Sequence, residues 1–552
     1  MVTIVLSKRK LLDKLGLNEH ELEDILFNLK SEIKPVDENN LEIEINADRL
    51  DLLTTDGIAR AVKGLLGKEL GEAKYNVTET DYTLVVHNVK YRPYTLAAIV
   101  YNVNIDLQEL IQFQEKLHQT IGRKRKKVAI GFHDLSKIDS KIIEYREIPL
   151  NYKFIPLNQN KEMSVSEVIN NTEQGKLYGN ISVSDGKSPA IIQDDGQVLS
   201  IPPIINSEKT KVTEKTKNLF IDVTGTSYEA VAQTLDIIVT NLAETGGIIG
   251  KVKVIKKIDQ TQLFSPLLSH KVISTTSKYV SEILGITIPN KTLCKNIQKM
   301  RMDCVENEKV NVIVPPYRID ILNEIDIVED VAMSIGYNNI LALPHKPIPA
   351  GYGSYDYISL LERKIRDLSI GANFTEIFSF TLIKDTKLLE REYVKIINPI
   401  SEEFNAVRNS LVPVLLDFLS KNQHARFPIR IFEIGDIVIK SQYSDTNYSN
   451  EKRAGFAIMD DKVSYEDIQA PIHYILSALG IEPRYKEVSS KFLIEGRAAN
   501  IVYENEIIGI LGETNLYLLR SLGIEYPIVV AEIYLTRMYN ILEKMNKEHK
   551  RA

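Results

Sequence analysis

The apolar pattern of this chain keeps changing period, and that alone excludes most ways of folding it. Leu41, Ile43 and Ile45 alternate with charged residues, as in a half-buried strand. A few positions on, Leu50, Leu53, Ile58 and Val62 take up helical spacing, with Asp48 placed to cap that helix. Such switches continue to the C-terminus without a fixed repeat, so solenoids and propellers drop out. One core does not grow to 552 residues; at roughly 150 residues per domain, about three or four are expected.

Hydrophobic residues make up 44% and charged residues 26%, the mix of folded rather than disordered protein. No apolar run approaches the roughly 18 residues of a bilayer span. The start, MVTIVLSKRK, lacks the apolar core and small-residue cleavage site of a signal peptide, so a cytoplasmic protein is expected. Cys294 and Cys304 show no CxxC or Cys/His spacing, and neither a disulfide framework nor a zinc site is indicated. The net charge of −6 does not exclude nucleic acid, because the sign of a local patch matters more than the sum.

The fold class read from these patterns is α+β and multidomain. Residues 1–80 form a mixed N-terminal domain, ending in a polar linker over Gly71–Thr80. Residues 82–250 are β-rich with interspersed helices. Strands are expected at Leu84-Val-Val, Leu96–Tyr101, Val128–Gly131 and Leu219–Val223, with a helix at Leu107–His118. Ile237-Ile-Val continues the alternation of strand and helix. Residues 264–346 form a smaller helix-and-strand module, helical through Val272–Leu284. Its strand at Val310–Val314 is stopped by Pro315-Pro316, and a helix begins near Asn323. Pro344, Pro347 and Pro349 with Gly351 and Gly353 make a stiff linker. Residues 350–552 open with an amphipathic helix (Ile358, Leu361, Ile365, Leu368) and suit a largely antiparallel sheet flanked by helices.

Three constellations carry possible chemistry. Asp326, Glu329 and Asp330 share one helical surface patch, and Asp320 lies in the turn before it. Converging carboxylates invite a hard cation such as Mg²⁺; the competing reading is that acidic residues simply favour the first helical turns. Gly122-Arg-Lys-Arg-Lys-Lys127 is either a solvated turn or a phosphate contact. Asn206, Ser207 and Glu208 follow Pro202-Pro-Ile-Ile. Further on, Asp222, Thr224 and Thr226 lie on one side of a strand, so that the two segments together suit a polar-floored pocket. Simple turn motifs are the alternative there. His118 and His133 have no Ser/Asp partner spacing and read as structural. P-loop, GxSxG, HExxH and dinucleotide fingerprints are absent from the sequence.

Read in order, several stretches resemble the phenylalanyl-tRNA synthetase β-subunit family in its archaeal and eukaryotic form. They include Asn46-Ala-Asp-Arg-Leu-Asp-Leu-Leu, Tyr91-Arg-Pro-Tyr, Val128-Ala-Ile-Gly-Phe-His-Asp-Leu and Pro202-Pro-Ile-Ile-Asn-Ser-Glu. Asp222-Val-Thr-Gly-Thr, Pro316-Tyr-Arg-Ile-Asp-Ile, Glu329-Asp-Val-Ala-Met-Ser-Ile-Gly-Tyr, Arg408-Asn-Ser-Leu-Val-Pro and Phe432-Glu-Ile-Gly follow. The resemblance implies an α₂β₂ heterotetramer that joins phenylalanine to tRNA(Phe) with ATP, the synthetic site lying on the α subunit. It implies an editing domain at 82–250, with Asn206, Ser207, Asp222, Thr224 and Thr226 near a pocket that hydrolyses mischarged tyrosyl-tRNA. It implies Mg²⁺ at Asp320, Asp326, Glu329 and Asp330, in a module at 264–346. Finally, it implies a class II synthetase core at 350–552 that has lost activity. The residues agree on the last point: in Arg430-Ile-Phe-Glu433 two residues separate Arg and Glu where active enzymes have one, and the late strand at Gly523–Ile533 lacks its arginine. Without those cations a pentacovalent phosphate goes uncompensated. A non-catalytic tRNA-binding or assembly subunit with a decayed editing site, and a stand-alone Mg²⁺-dependent hydrolase, are the competing readings. The helix at Leu411–Leu419 is a candidate partner surface, unless the chain's own core covers it.

Overall fold

The computed structural model describes residues 2–104, 106–341, 353 and 355–549, with side chains to 543. The expected linker from Pro344 to Gly351 lies outside them. The chain forms two compact units divided near residue 346.

In the first unit, β1 (Val2–Ser7), β2 (Glu32–Pro35) and β3 (Asn40–Ile45) form an antiparallel sheet in the order β1-β3-β2. Leu41, Ile43 and Ile45 stand opposite Leu6, Ile4 and Val2, all buried, which is what their alternation requires. Helix α1 (Thr55–Leu65) follows, and here the expectation about Asp48 is corrected: the cap is Thr54, whose hydroxyl accepts from Gly57 N–H at 3.0 Å. The intervening residues make a buried 3₁₀ turn at Leu50–Leu52 instead.

A ten-stranded mixed sheet comes next. Its strands are β4 (Val77–Val86), β5 (Tyr94–Tyr101), β6 (Val128–Asp134), β7 (Ile142–Pro149), β8 (Lys187–Gln193), β9 (Val198–Ile201), β10 (Ile205–Asn206), β11 (Leu219–Gly225), β12 (Ile248–Lys256) and β13 (Gln262–Ser265). Their order is β10-β9-β8-β7-β4-β12-β5-β11-β6, with β13 on β12. Only the β4–β12 and β4–β7 pairs are parallel. Helix α2 (Leu107–Gln119) leads into β6, and α3 (Tyr228–Ala243) follows β11. Ile237-Ile-Val lies inside α3. Its neighbours Thr234, Asn241 and Ala243 are buried too, and a short apolar run in an all-round buried helix cannot be told from a strand by period.

The third sheet has the order β14-β16-β15, from β14 (Lys271–Thr275), β15 (Asp303–Glu306) and β16 (Val310–Val314). The expected helix over Val272–Leu284 is therefore half strand: Val272 and Ile273 pair with Ile313 and Val312, and the helix begins only at Ser277. Helix α4 (Asn290–Lys299) and β15 run back on one another. That turn brings Cys294 and Cys304 to a Cα separation of 5.5 Å and joins them in a disulfide, correcting the reading of the cysteines as unpaired. A sequence separation of ten says nothing about such a reversal. Pro315 follows the end of β16 at Val314, and helix α5 (Glu324–Ile335) begins after the intervening turn, at the Asn323 cap.

The second unit holds a seven-stranded sheet, antiparallel except at one edge pair. Its longest strands are β17 (Ile429–Lys440), β18 (Tyr448–Met459), β19 (Leu493–Tyr503) and β20 (Glu506–Thr514), with β21 (Ile528–Tyr534) inserted between β18 and β20. The helix at Val412–Lys421 packs on this sheet, and Leu415, Leu416 and Leu419 are fully buried in the chain's own core. It is not a free partner surface.

Candidate functional site

A cavity of about 710 Å³ opens over β11 and its edge neighbour β6 in the large sheet. Its floor comes from β11 and β6, one wall from α2, and the other from the Ser200–Asn206 segment. Asn206, Asp222 and Thr224 line it. Asp222 and Thr224 are two apart on β11 and so share a face, and pairing of β9 with β10 turns Asn206 toward them. Ser207 and Thr226 do not line the cavity. Ser207 is buried in the wall, its hydroxyl donating to Ile155 O at 3.3 Å, and Thr226 is exposed beyond the end of β11.

Asp222 is 2% exposed, and its Oδ2 accepts from His133 Nε2 at 3.0 Å. His133 is fully buried, and its Nδ1 lies 2.8 Å from Thr210 Oγ1. Since a carboxylate only accepts, Nε2 carries the proton, and Thr210 holds the other ring nitrogen. No protein donor reaches Asp222 Oδ1 among the described residues, so that oxygen is left to the cavity. Gly131 makes the approach possible: it faces Asp222 across the ladder, and a Cβ there would overlap Asp222 Oδ2 and come within 2.9 Å of His133 Nε2.

Thr224 rests on Arg92. The buried guanidinium donates from Nε to Thr224 Oγ1 and from Nη2 to Thr224 O, both at 2.9 Å. Arg92 has no carboxylate ion pair among the described residues, and burial, opposed by Tyr145 and Asp222, pushes it down to about 10. Because Thr224 Oγ already accepts from a cation, its own proton is free to point into the cavity. Asn206 donates from Nδ2 to Phe132 O at 3.2 Å, which leaves its carbonyl oxygen as an acceptor.

The α2 wall is charge-balanced. His118 Nε2 accepts from Ile130 N–H at 2.9 Å, so its proton sits on Nδ1 and is donated to Glu115 at 3.0 Å. Burial holds His118 below its ordinary pKa, against the pull of Glu115. Arg125 Nη2 donates to the same Glu115 oxygen at 2.6 Å and Nη1 to Pro203 O and Ile204 O. Despite burial, His118 and Arg125 hold Glu115 down to about 2. His133, expected to be structural, instead holds Asp222, and Arg125, expected in a solvated turn or a phosphate contact, is bonded into the cavity wall, while Arg92 and Gly131 were not singled out by the sequence. His133, Arg92 and Gly131 belong to motifs quoted above, but their pairing is long-range.

The four expected metal ligands are placed differently. Arg318, 2% exposed, donates to Asp320 at 2.7 and 2.9 Å and to Asp330 at 3.0 Å. Asp326 caps α5, accepting from Leu322 and Asn323 N–H at 2.7 Å each. Glu329 pairs with Lys30 at 2.7 Å. Among the described residues no three acidic, His or Cys side chains converge as a metal site. Asp320 and Asp330 share one guanidinium, and Asp326 and Glu329 are turned to other donors, so in this arrangement the four do not converge on a divalent cation. The knot extends into the first sheet's neighbourhood: Asp51 is bonded by Arg49 at 2.9 Å and faces Arg60 at 3.5 Å, and against burial Arg49, Arg60 and Arg318 hold it at about 2. Arg60 in turn stacks on Tyr317, 3.8 Å above its ring centroid.

In the second unit, Arg430 and Glu433 fall on opposite faces of β17, as an odd separation in a strand demands. Glu433 is buried and bonded to Arg408 at 2.6 Å, while Arg430 stacks over Phe374. Glu532 is likewise bonded to Arg453 at 2.5 Å.

Three family models match the chain: a B3/4 domain at residues 86–239, a tRNA synthetase B5 domain at 273–337, and the phenylalanyl-tRNA synthetase β chain CLM domain at 343–535. A phenylalanine–tRNA ligase β subunit from Saccharolobus solfataricus is 68% identical over 548 residues, covering 99% of this chain and all of the relative. One from Sulfurisphaera tokodaii is 55% identical, covering 98% of this chain and all of the relative. Among solved structures, an N-terminal fragment of the phenylalanyl-tRNA synthetase β subunit from Pyrococcus horikoshii is similar at 34% identity. It has a TM-score of 0.59 and covers 61% of this chain and the whole fragment.

Proposed function

The chain belongs to the phenylalanine–tRNA ligase β-subunit family, and from that premise we propose that it edits and scaffolds while a partner α subunit performs synthesis in a cytoplasmic α₂β₂ complex. The single observation that carries the editing half is Asp222: a buried carboxylate with one oxygen fixed by His133 and the other left to a cavity.

A hydrophobic synthetic pocket rejects an analogue that merely adds a hydroxyl by only about 100-fold, and tyrosine is that analogue of phenylalanine. A second site can select for the hydroxyl instead. Asp222 Oδ1 accepts the phenol proton; a phenylalanyl ring would leave the carboxylate desolvated without a donor, and so is refused. Thr224, polarised by Arg92, donates toward the ester carbonyl as negative charge gathers on its oxygen. Asn206 orients the water with its free carbonyl oxygen. Water oxygen bonds to the ester carbon, the ribose oxygen leaves with a proton, and tyrosine and tRNA are released. An aminoacyl ester is already activated, so positioning suffices.

The partner surface is proposed for the second unit, where Phe378, Ile397 and Ile400 are almost wholly exposed and Phe380 is largely so. Aminoacylation by this chain alone is not expected, because Glu433 and Glu532 each consume a buried arginine where the synthetic site would need free cations. No helix among the described residues is long and apolar enough to cross a membrane. Magnesium enters no step of this reading; a rise in Tm with Mg²⁺ that Asp326→Asn abolishes would restore it at Asp320, Asp326, Glu329 and Asp330. The test of function is tyrosyl-tRNA hydrolysis by the assembled complex. Activity is expected to fall about 100-fold or more in Thr224→Val, with phenylalanyl-tRNA synthesis intact. A complex that binds tRNA but leaves the tyrosyl ester untouched would favour the assembly-subunit reading.

A further inference from the structure

The basic run after α2 has a backbone that its residue types do not favour. Arg123, Lys124 and Arg125 stand consecutively at φ of +47°, +55° and +63°. This left-handed region disfavours side chains with a Cβ and is usually given to glycine or asparagine. The turn is held there by Arg123 N–H to Thr120 O at 3.0 Å and Lys127 N–H to Gly122 O at 2.9 Å. Glycine would relieve the strain at every one of these positions; what arginine and lysine add is charge.

Only one of these charges is spent inside the protein. Arg125 reaches into the cavity wall, binding Glu115, Pro203 O and Ile204 O and stacking 4.5 Å from the Tyr178 ring centroid. That anchors the turn at the rim. Arg123, Lys124 and Lys126 are exposed, and none has an ion pair among the described residues. Lys126 O is also tied to Arg92 Nη1 at 3.5 Å, so the turn is fixed to the floor as well as the wall. Carboxylates lining the cavity do not offset these cations: Glu115 is paired with Arg125, and among the described residues neither Asp222 nor Glu173 makes an ion pair with Arg123, Lys124 or Lys126.

We infer that the Arg123–Lys127 turn is an electrostatic clamp for the phosphates of the RNA 3′ strand whose terminal ester enters the cavity. This rests on the editing reading. Three mutually repelling cations, two of them at left-handed φ, all rigidly mounted and within two residues of a cavity-lining arginine, suit a partner whose charges are spaced along a chain. The contact positions the strand and reads no base.

The experiment uses the assembled αβ complex with two variants, R123Q/K124Q/K126Q and R123G/K124G/K126G. The glycine variant relieves the left-handed strain at 123 and 124, so a merely structural turn is preserved by it and a charge clamp is not. Tyrosyl-tRNA hydrolysis is followed against RNA concentration and salt. Both variants are expected to raise KM about tenfold at low salt, with kcat unchanged. They should also flatten the log KM against log salt slope by about 2, near 0.7 per lost phosphate contact on a single strand. An unchanged KM and slope overturn the inference while leaving editing intact. If wild type hydrolyses nothing, the editing reading falls, and the clamp is then judged by the affinity of uncharged tRNA: weaker binding in both variants sustains it, equal binding overturns it. Loss of α-subunit association in the glycine variant would make the turn a protein contact and overturn it too.

Discussion

Two acidic regions of the first unit invite the same question and answer it oppositely. Near Arg318, four carboxylates lie close in sequence without converging, and each is turned to a different donor: Asp320 and Asp330 to the guanidinium, Asp326 to backbone N–H groups and Glu329 to Lys30. Around Asp222 there is one deep carboxylate, half-consumed by His133 and half-open to a cavity. Acid density marks the first region in the sequence, yet the chemistry points to the second. Where a carboxylate's spare oxygen faces, rather than how many carboxylates stand together, decides whether it can act on a ligand: Asp222 lines the cavity and the four near Arg318 do not. The first region is a joint between the N-terminal residues and the B5-matching module; the second is where we propose the site.

Breaking the joint should cost most. Arg318→Met strands Asp320 and Asp330 in a buried setting, and loss of one partner from a buried ion pair costs about 3–5 kcal/mol. Denaturant unfolding at pH 7 is expected to show that loss, while tyrosyl-tRNA hydrolysis per folded complex stays at wild-type level. A fall in hydrolysis without a fall in stability would erase the contrast between joint and site.

Asp236 is the case between the two: buried on α3 with neither a cation nor a cavity. Burial lifts its carboxyl to about 7, partly offset by the N–H groups of Leu268 and Leu267. The unfolded chain loses this proton near pH 4 and the folded chain only near 7, so its contribution is most favourable below pH 4 and is lost as pH rises to 7. Asp236→Asn should therefore raise stability at pH 8 by on the order of 4 kcal/mol at most, a gain that vanishes near pH 4. Urea unfolding at both pH values reads it; an equal effect at each would mean the carboxyl is not the cause.

Cys294→Ser separates covalent from ionic contributions in the module that holds Arg318. A loop of this length is worth about 2–3 kcal/mol, and the same loss should follow when the wild type is reduced. A Tm insensitive to reductant would contradict the cross-link.

Gly131→Ala should have the mildest consequence. It displaces the Asp222 carboxylate from its seat beside His133, and roughly a tenfold drop in tyrosyl-tRNA hydrolysis is expected, about 1.4 kcal/mol, with Tm little changed. Equal activity would show that the seat is not needed.

Much of the architecture was legible. The alternation at Leu41–Ile45 and the helix at Leu107–His118 stand where their periods place them, because one face of each is buried and the other wet. Ile237–Val239 was not legible as helix, since an element buried on all sides carries no period. Val272–Thr275 needed its partner strand Val310–Val314 to declare itself. In the cavity, Asp222 and Thr224 could be put on one face from spacing alone. Their supports could not: His133 is 89 positions from Asp222 and Arg92 is 132 from Thr224. The disulfide spans only ten positions and Arg318–Asp320 only two, yet neither carries a periodic signal: the first needs a helix to turn back along a strand, and the second needs the arginine to be buried.

The direct test is single-turnover hydrolysis of tyrosyl-tRNA and phenylalanyl-tRNA by the assembled complex carrying Asp222→Ala. The account requires that wild type clear the tyrosyl ester and spare the phenylalanyl one, and that the variant lose about 100-fold on tyrosyl alone. Unaltered tyrosyl clearance in a correctly folded variant would contradict it.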